Sequence, residues 1–224
     1  MTDAGGEARS SGPRRIGLMG GTFDPIHLGH LAVAEQARAD MDLDEVVFIP
    51  AGRPWQKDRD VTSSEHRYLM TVLATAANPA FSVSRIEIDK QGSTYTVDTL
   101  RELESQVPDD ELFFITGADA ILTILTWKDA EQCLELATFV AATRPGHDLS
   151  GLAQYAWRDA VQVLDVPALA ISSTDVRERF ADDRSVTYLI PREVEEYARK
   201  HGLYGAHGRD LRGTEWGVMG GRHR

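Results

Sequence analysis

RRIGLMGGTFDPIHLGHLAVAEQARAD, residues 14–40, is the stretch that decides how this chain is read. Its first seven residues, RRIGLMG, read as a buried strand around the short apolar run Ile16-Gly17-Leu18-Met19. From Leu28 onward, apolar residues recur at helical spacing. Between the two lies GGTFDPIH, rich in glycine and broken by a proline, so strand gives way to helix across a tight turn. Two histidines three apart, His27 and His30, stand at that turn and at the start of the helix.

The same alternation runs on. EVVFIP (45–50) reads as a second strand, and SSEHRYLMTVLATAA (63–77) as a helix capped by Ser63 or Ser64. FSVSRIEID (81–89) reads as a strand or strand pair, TVDTLRELESQV (96–107) as a helix, and ELFFITG (111–117) as a strand. ADAILTIL (118–125) and DAEQCLELA (129–137) read as helical, and TFVAAT (138–143) as a strand. AVQVLDV and ALAIS supply one or two more short strands. STDVRERFA is a helix, and PREVEEYARKHG a last helix stopped by Gly202. Short strands alternating with helices predict a single-domain α/β fold, doubly wound, with a mostly parallel sheet covered on both faces. Ligands in such sheets bind beyond the carboxyl ends of the strands, where the strand order reverses. The residues suited to chemistry gather at those exits: GGTFDPIH after the first strand, PAGRPWQKD after the second, then GAD and TRPG, with ISST opening a late helix.

Composition sets limits on this. The chain has 224 residues, enough for one real core, and its 42% hydrophobic and 26% charged content is that of a globular enzyme. Residues 1–13 and 205–224 are rich in glycine and polar residues without periodicity. They are expected to be a disordered leader and tail around a domain at 14–204. No run is apolar enough to span a bilayer, and the leader lacks the hydrophobic segment of a signal peptide, so a cytoplasmic location is expected. Cys133 is the single cysteine, which rules out an internal disulfide and a cysteine-based zinc site. A net charge of −11 argues against a protein that coats nucleic acid, yet a mononucleotide needs only a few backbone N–H groups and two or three cations. Neither nucleic acid nor a membrane is expected as a partner, and self-association is left open.

Three readings compete for the histidines. As metal ligands they lack HExxH spacing; Asp24 is a candidate third ligand, but Gly21, Pro25 and Gly29 would then be incidental. As structural residues they would hydrogen-bond loop carbonyls. As a phosphate site, Gly20 and Gly21 allow close backbone approach, and the helix beginning near Leu28 aims its free N–H groups and positive end at the same space. Neither GxxxxGK[ST] nor GxGxxG is present, so this is not an ordinary P-loop or a dinucleotide fingerprint. Paired imidazoles at such a turn suit a reaction at the α-phosphate of a nucleoside triphosphate.

GGTFDPIHLGH resembles the GxFxPxHxGH signature of the nucleotidyltransferase superfamily, with HxGH at His27–His30. Ile171-Ser172-Ser173-Thr174 followed by Arg177 resembles its second signature, ISSTxxR. Within that superfamily the chain is most similar to the bacterial nicotinate-nucleotide adenylyltransferases. The residues that carry the likeness are Thr94 to Leu100 (TYTVDTL), Gly117-Ala118-Asp119-Ala120, Trp127-Lys128, Arg144-Pro145-Gly146 and the closing His201-Gly202-Leu203-Tyr204. One departure stands out. Many relatives carry a His-Lys pair after the second proline of the second strand's exit, whereas this chain reads Pro54-Trp55-Gln56-Lys57.

The resemblance implies adenylyl transfer from ATP to nicotinate mononucleotide, with Mg2+ travelling on the triphosphate and no protein metal ligand. It further implies that His27, His30 and Arg177 are catalytic. Gly21, Thr22, Phe23, His30, Gly117, Asp119, Ser173 and Arg177 would bind ATP. Lys57, Thr96, Trp127, Lys128 and Arg144 would bind the mononucleotide. In this scheme Trp127 offers a face to the pyridine ring, against the alternative of a core tryptophan. Backbone amides near Thr96 and Lys128 would read the nicotinate carboxylate, and Lys57 would approach the mononucleotide phosphate. Asp98 and Thr99 are expected to cap the helix they begin. Rival readings are a phosphopantetheine adenylyltransferase, a cytidylyltransferase, an aminoacyl-tRNA synthetase, for which the chain is short and too acidic, and a nucleotide-binding regulator without turnover.

Overall fold

The computed structural model describes residues 12–53, 61–92, 94–122, 127–143, 161–166 and 170–206. In chain order the elements are β1 (Arg15–Gly21), α1 (Leu28–Asp40), β2 (Glu45–Pro50), α2 (Ser64–Thr75), β3 (Phe81–Val83), α3 (Thr96–Gln106) and β4 (Glu111–Gly117). There follow α4 (Ala118–Leu122), α5 (Ala130–Leu136), β5 (Thr138–Thr143), β6 (Val161–Asp165), α6 (Ser173–Ala181), α7 (Arg192–Lys200) and a 3-10 turn, Leu203–Gly205.

The strands form one sheet in the order β3-β2-β1-β4-β5-β6, and every described pairing is parallel. A parallel sheet needs both faces covered, and alternate side chains do this. Ile16 and Leu18 of β1, Leu112 and Phe114 of β4, and Phe139 and Ala141 of β5 join Val97, Leu100 and Cys133 in one apolar layer. Met19, Phe113, Ile115, Val140 and Ala142 point the other way, into a layer with Ala34, Ala37, Met70, Val176, Phe180 and Val194. So α3 and α5 pack on one face, and α1, α2, α6 and α7 on the other. Ala34 and Ala37 let α1 lie close against the sheet, both wholly buried.

Strand order turns back between β1 and β4, and the crevice beyond their carboxyl ends is where this topology places a ligand. The residue before β1 is held at the opposite edge: the Arg14 backbone N–H donates to Asp110 Oδ1 at 2.9 Å, and its guanidinium grips Oδ2 of the same carboxylate.

Sequence expectation and structure part at the third strand. Of 81–89, only Phe81–Val83 is strand. The Ser84 N–H still bonds the Phe48 carbonyl, after which the chain turns, with Arg85 paired to Asp89 and Glu65. Where one or two short strands were expected after β5, the described residues of 160–172 hold one, β6; Ala170 to Ser172 are not strand, and Pro167–Leu169 lie outside the described residues. The N-cap of α2 is Ser63, whose Oγ accepts from the His66 N–H. Helix α7 ends before Gly202, which takes a left-handed φ of 62°. No helix among the described residues is long and apolar enough to cross a membrane.

Candidate active site

Two cavities open side by side at the carboxyl edge of the sheet. One, of about 390 Å³, is lined by Gly21, Thr22, Phe23, His27, His30, Gly117, Ser173 and Arg177, among others. The second, of about 250 Å³, is lined by Thr96, Trp127 and Lys128 together with Ile49, Ala51, Glu87 and Tyr95. Gly20, Gly21, Thr22 and Thr116 line both. The compartments therefore meet at the exits of β1 and β4, where the strand order reverses.

In the larger cavity, α1 starts at Leu28 with His27 as its extended N-cap residue. The His27 backbone N–H donates to His30 Nδ1 at 3.2 Å, which puts the proton of a neutral His30 ring on Nε2. The two rings stack with centroids 3.6 Å apart, and Phe23 meets the His30 ring edge-on at 5.1 Å. His27 is 5% exposed. Beneath it Gly29 leaves no room for more: a Cβ there would come within 3.0 Å of His27 Nδ1.

Helix α6 begins beside the same turn. The Ser172 Oγ caps it by accepting from the Asp175 N–H. Ser173 Oγ donates to the Pro25 carbonyl at 2.9 Å, and Arg177 Nη1 to the Asp24 carbonyl at 2.7 Å. The second signature is thus bonded to the backbone of the first. The Ser173 hydroxyl proton is engaged with Pro25, and Arg177 Nη2 also donates to Thr174 Oγ1 at 3.0 Å. The start of α6 brings its helix N-terminus and the Arg177 charge to the same space, both suited to an anion. Asp24 is buried and accepts from the Tyr204 hydroxyl at 2.8 Å. Burial first, and then the neighbouring Asp24 charge, pushes the Tyr204 ionisation well above its ordinary value.

In the smaller cavity, Trp127 stands edge-on to Phe114 and Phe139 at 6.1 and 6.3 Å, with its ring along the wall. It is a core contact and a cavity wall at once. Its indole N–H is buried and meets no acceptor among the described residues. Lys128 Nζ pairs with Asp98 at 3.0 Å and lies 4.8 Å from the Tyr95 ring centre. The expected capping by Asp98 and Thr99 is not what forms. Tyr95 is the N-cap residue of α3, Asp98 turns to Lys128 and Arg101, and Thr99 Oγ1 donates to Glu87. Asp98 lies in the first turn, where its charge suits the helix dipole without a capping bond.

Lys57 and Arg144 lie outside the described residues, as do Trp55 and Gln56, and so does the Asp119 side chain; its backbone belongs to α4. Two residues escaped the sequence reading. Arg67, on α2, is 1% exposed and bonds the Thr22 and Ala51 carbonyls. Its only trace in the sequence is a cation on the face that also buries Met70 and Thr71. Tyr204 is visible in the sequence only as part of the closing HGLY. Among the described residues no group of three or more His, Cys, Asp or Glu side chains gathers as a metal cage.

The Cytidylyltransferase-like family model matches residues 18–179. A probable nicotinate-nucleotide adenylyltransferase of Leifsonia xyli subsp. xyli is 60% identical over 192 residues, covering 85% of this chain and 94% of the relative. One from Corynebacterium glutamicum is 54% identical over 198 residues, covering 88% and 91%. Among solved structures, Plasmodium falciparum nicotinic acid mononucleotide adenylyltransferase complexed with NaAD is similar with a TM-score of 0.73. The match covers 87% of this chain and 98% of that one, and at 21% identity it speaks for the fold. More than half of the aligned residues are identical in relatives spanned almost end to end, so the chain belongs to the cytidylyltransferase-like family and, within it, to the nicotinate-nucleotide adenylyltransferases.

Proposed function

We propose that this chain transfers the adenylyl group of ATP to nicotinate mononucleotide. A phosphate oxygen of the mononucleotide bonds to the α-phosphorus of ATP, and the bond from that phosphorus to the bridging oxygen breaks. Pyrophosphate leaves with the electron pair, and nicotinate adenine dinucleotide is formed. The observation that carries this reading is the pair of cavities that share Gly20, Gly21, Thr22 and Thr116. Two anions bound one in each would meet at that shared wall.

The nucleophile is already an anion near neutral pH, so the protein needs alignment and charge stabilisation more than a strong base. His27 and His30 serve as donors to the triphosphate around its α- and β-groups, with His30 offering Nε2–H. Gly21, Thr22 and Phe23 supply backbone contacts beside them. Ser173, through the start of α6, and Arg177 hold the β- and γ-phosphates, while Gly117 and Asp119 hold the adenosine ribose. Trp127 faces the pyridine ring, backbone amides near Thr96 and Lys128 read the nicotinate carboxylate, Lys57 approaches the mononucleotide phosphate, and Arg144 binds the mononucleotide. A divalent cation, Mg2+, would travel on the triphosphate and would supply neutralisation of the charge that builds on the leaving pyrophosphate.

A substrate panel tests the reading. ATP and CTP are each combined with the acid mononucleotide, the amide mononucleotide and phosphopantetheine, and pyrophosphate release is measured. Turnover is expected with ATP and the acid form, and weaker turnover with the amide. Equal kcat/KM for acid and amide would remove the carboxylate reading, and turnover with CTP or phosphopantetheine alone would replace the reaction.

A further inference from the structure

Arg67 is the group that the reaction scheme leaves unused. Its guanidinium is buried beneath the site and donates to backbone carbonyls of three separate chain segments. Nη1 reaches Thr22 at 2.7 Å, Nη2 reaches Ala51 at 2.6 Å and Gly52 at 3.0 Å, and Nε reaches Thr62 at 2.8 Å. Thr22 follows β1, Ala51 and Gly52 follow β2, and Thr62 leads into α2. Where strands end, their carbonyls lose ladder partners, and a buried carbonyl without a donor is costly. One planar fork meets them together. The Ala51 N–H donates to the Gly21 carbonyl at 2.8 Å, so the two exits are also bonded to each other just above the fork.

Thr22 lines both cavities and Ala51 lines the smaller one. We propose that Arg67 is a positioning residue: by fixing the Thr22 and Ala51 carbonyls on one guanidinium, it sets the relative placement of the two substrate compartments. It touches neither substrate. Its effect falls on the reaction in the ternary complex more than on the binding of either partner, because each compartment survives a small displacement while the reacting atoms do not. A misplacement near 1 Å costs about a hundredfold in rate. Lysine is no substitute, since an ammonium is a point donor and cannot span carbonyls that lie on different sides of a planar fork.

The kinetic arm of the test rests on the adenylyl-transfer reading; the exchange arm does not. In Arg67→Lys, amide hydrogen exchange at Ala51 is expected to quicken at least tenfold while the β4 amides keep wild-type protection. At a temperature well below melting, and corrected for folded fraction by circular dichroism, kcat should fall about thirtyfold or more with KM for ATP and mononucleotide changed less than threefold. Arg67→Ala, where it folds, should regain at least tenfold in kcat with millimolar guanidinium and not with ammonium at equal ionic strength. Arg67→Lys with wild-type kcat and wild-type exchange at Ala51 overturns the proposal. Quickened exchange at Ala51 in a protein whose wild type makes no dinucleotide keeps the clamp and removes the reaction instead.

Discussion

Gly29→Ala separates placement of the imidazoles from stability of the fold. Gly29 is the second residue of α1, with an ordinary helical backbone, so alanine there gains up to about 0.5–1 kcal/mol from helix propensity and a less mobile unfolded chain. The added Cβ, however, sits 3.0 Å from His27 Nδ1 and 3.1 Å from its Cε1. Comfortable contact between such atoms begins near 3.5 Å, so the ring must move by roughly 0.5 Å. His27 cannot shift without disturbing its 3.6 Å stack on His30, so both donors lose alignment with the phosphate they are proposed to hold. Scaling from about a hundredfold per ångström, kcat should fall about tenfold. Initial rates from pyrophosphate release at saturating substrates, read beside a thermal melt, give both numbers. The expected result is a lowered kcat with an unchanged or raised Tm. A raised Tm with wild-type kcat would show that the reaction does not depend on where His27 lies.

Other outcomes follow from the same geometry. His27→Ala should abolish turnover, by about a thousandfold or more if a preorganised donor to the phosphates is lost, while circular dichroism stays that of the wild type; wild-type kinetics would defeat the phosphate-site assignment. Tyr204→Phe removes the hydroxyl that donates to buried Asp24 and should cost about 1.5–3 kcal/mol in denaturant unfolding; a change under about 0.5 kcal/mol would mean the bond contributes nothing. The same variant alters the alkaline limb. The folded protein keeps the Tyr204 proton above the pH of about 10 at which the unfolded chain releases it, so stability is whole below that pH and falls above it, by up to about 1.4 kcal/mol per pH unit. In Tyr204→Phe this share of the slope should vanish; identical alkaline slopes would refute it. Gly52→Ala should unfold or grossly destabilise the second strand's exit, because a Cβ would stand 2.0 Å from the Glu87 carbonyl oxygen; a Tm within a degree or two of the wild type would contradict that approach.

The sequence by itself determined the layering and the elements that carry the site. Apolar runs of strand length alternating with helical periodicity admit few arrangements other than a covered parallel sheet. The bounds read for α1 and α6 coincide with the structure because each starts at a turn with its own local chemistry. Both signatures were legible for the same reason: their residue types are rare and local. The length of β3 was not. Val46–Phe48 of β2 pair with Phe81–Val83, and Phe48 takes one more bond from the Ser84 N–H. The chain then turns away into the Arg85–Asp89 pairing while β2 runs on to Pro50, however far the alternating pattern continues.

What binds the two signatures together also lay beyond the sequence. Ser173 and Arg177 bond the carbonyls of Pro25 and Asp24, and Arg67 bonds those of Thr22 and Ala51. A carbonyl acceptor is the same at every residue, so no letter marks it. Only folding, which brings Tyr204 onto Asp24 and Arg67 under two strand exits, selects which carbonyls and carboxylates these side chains hold.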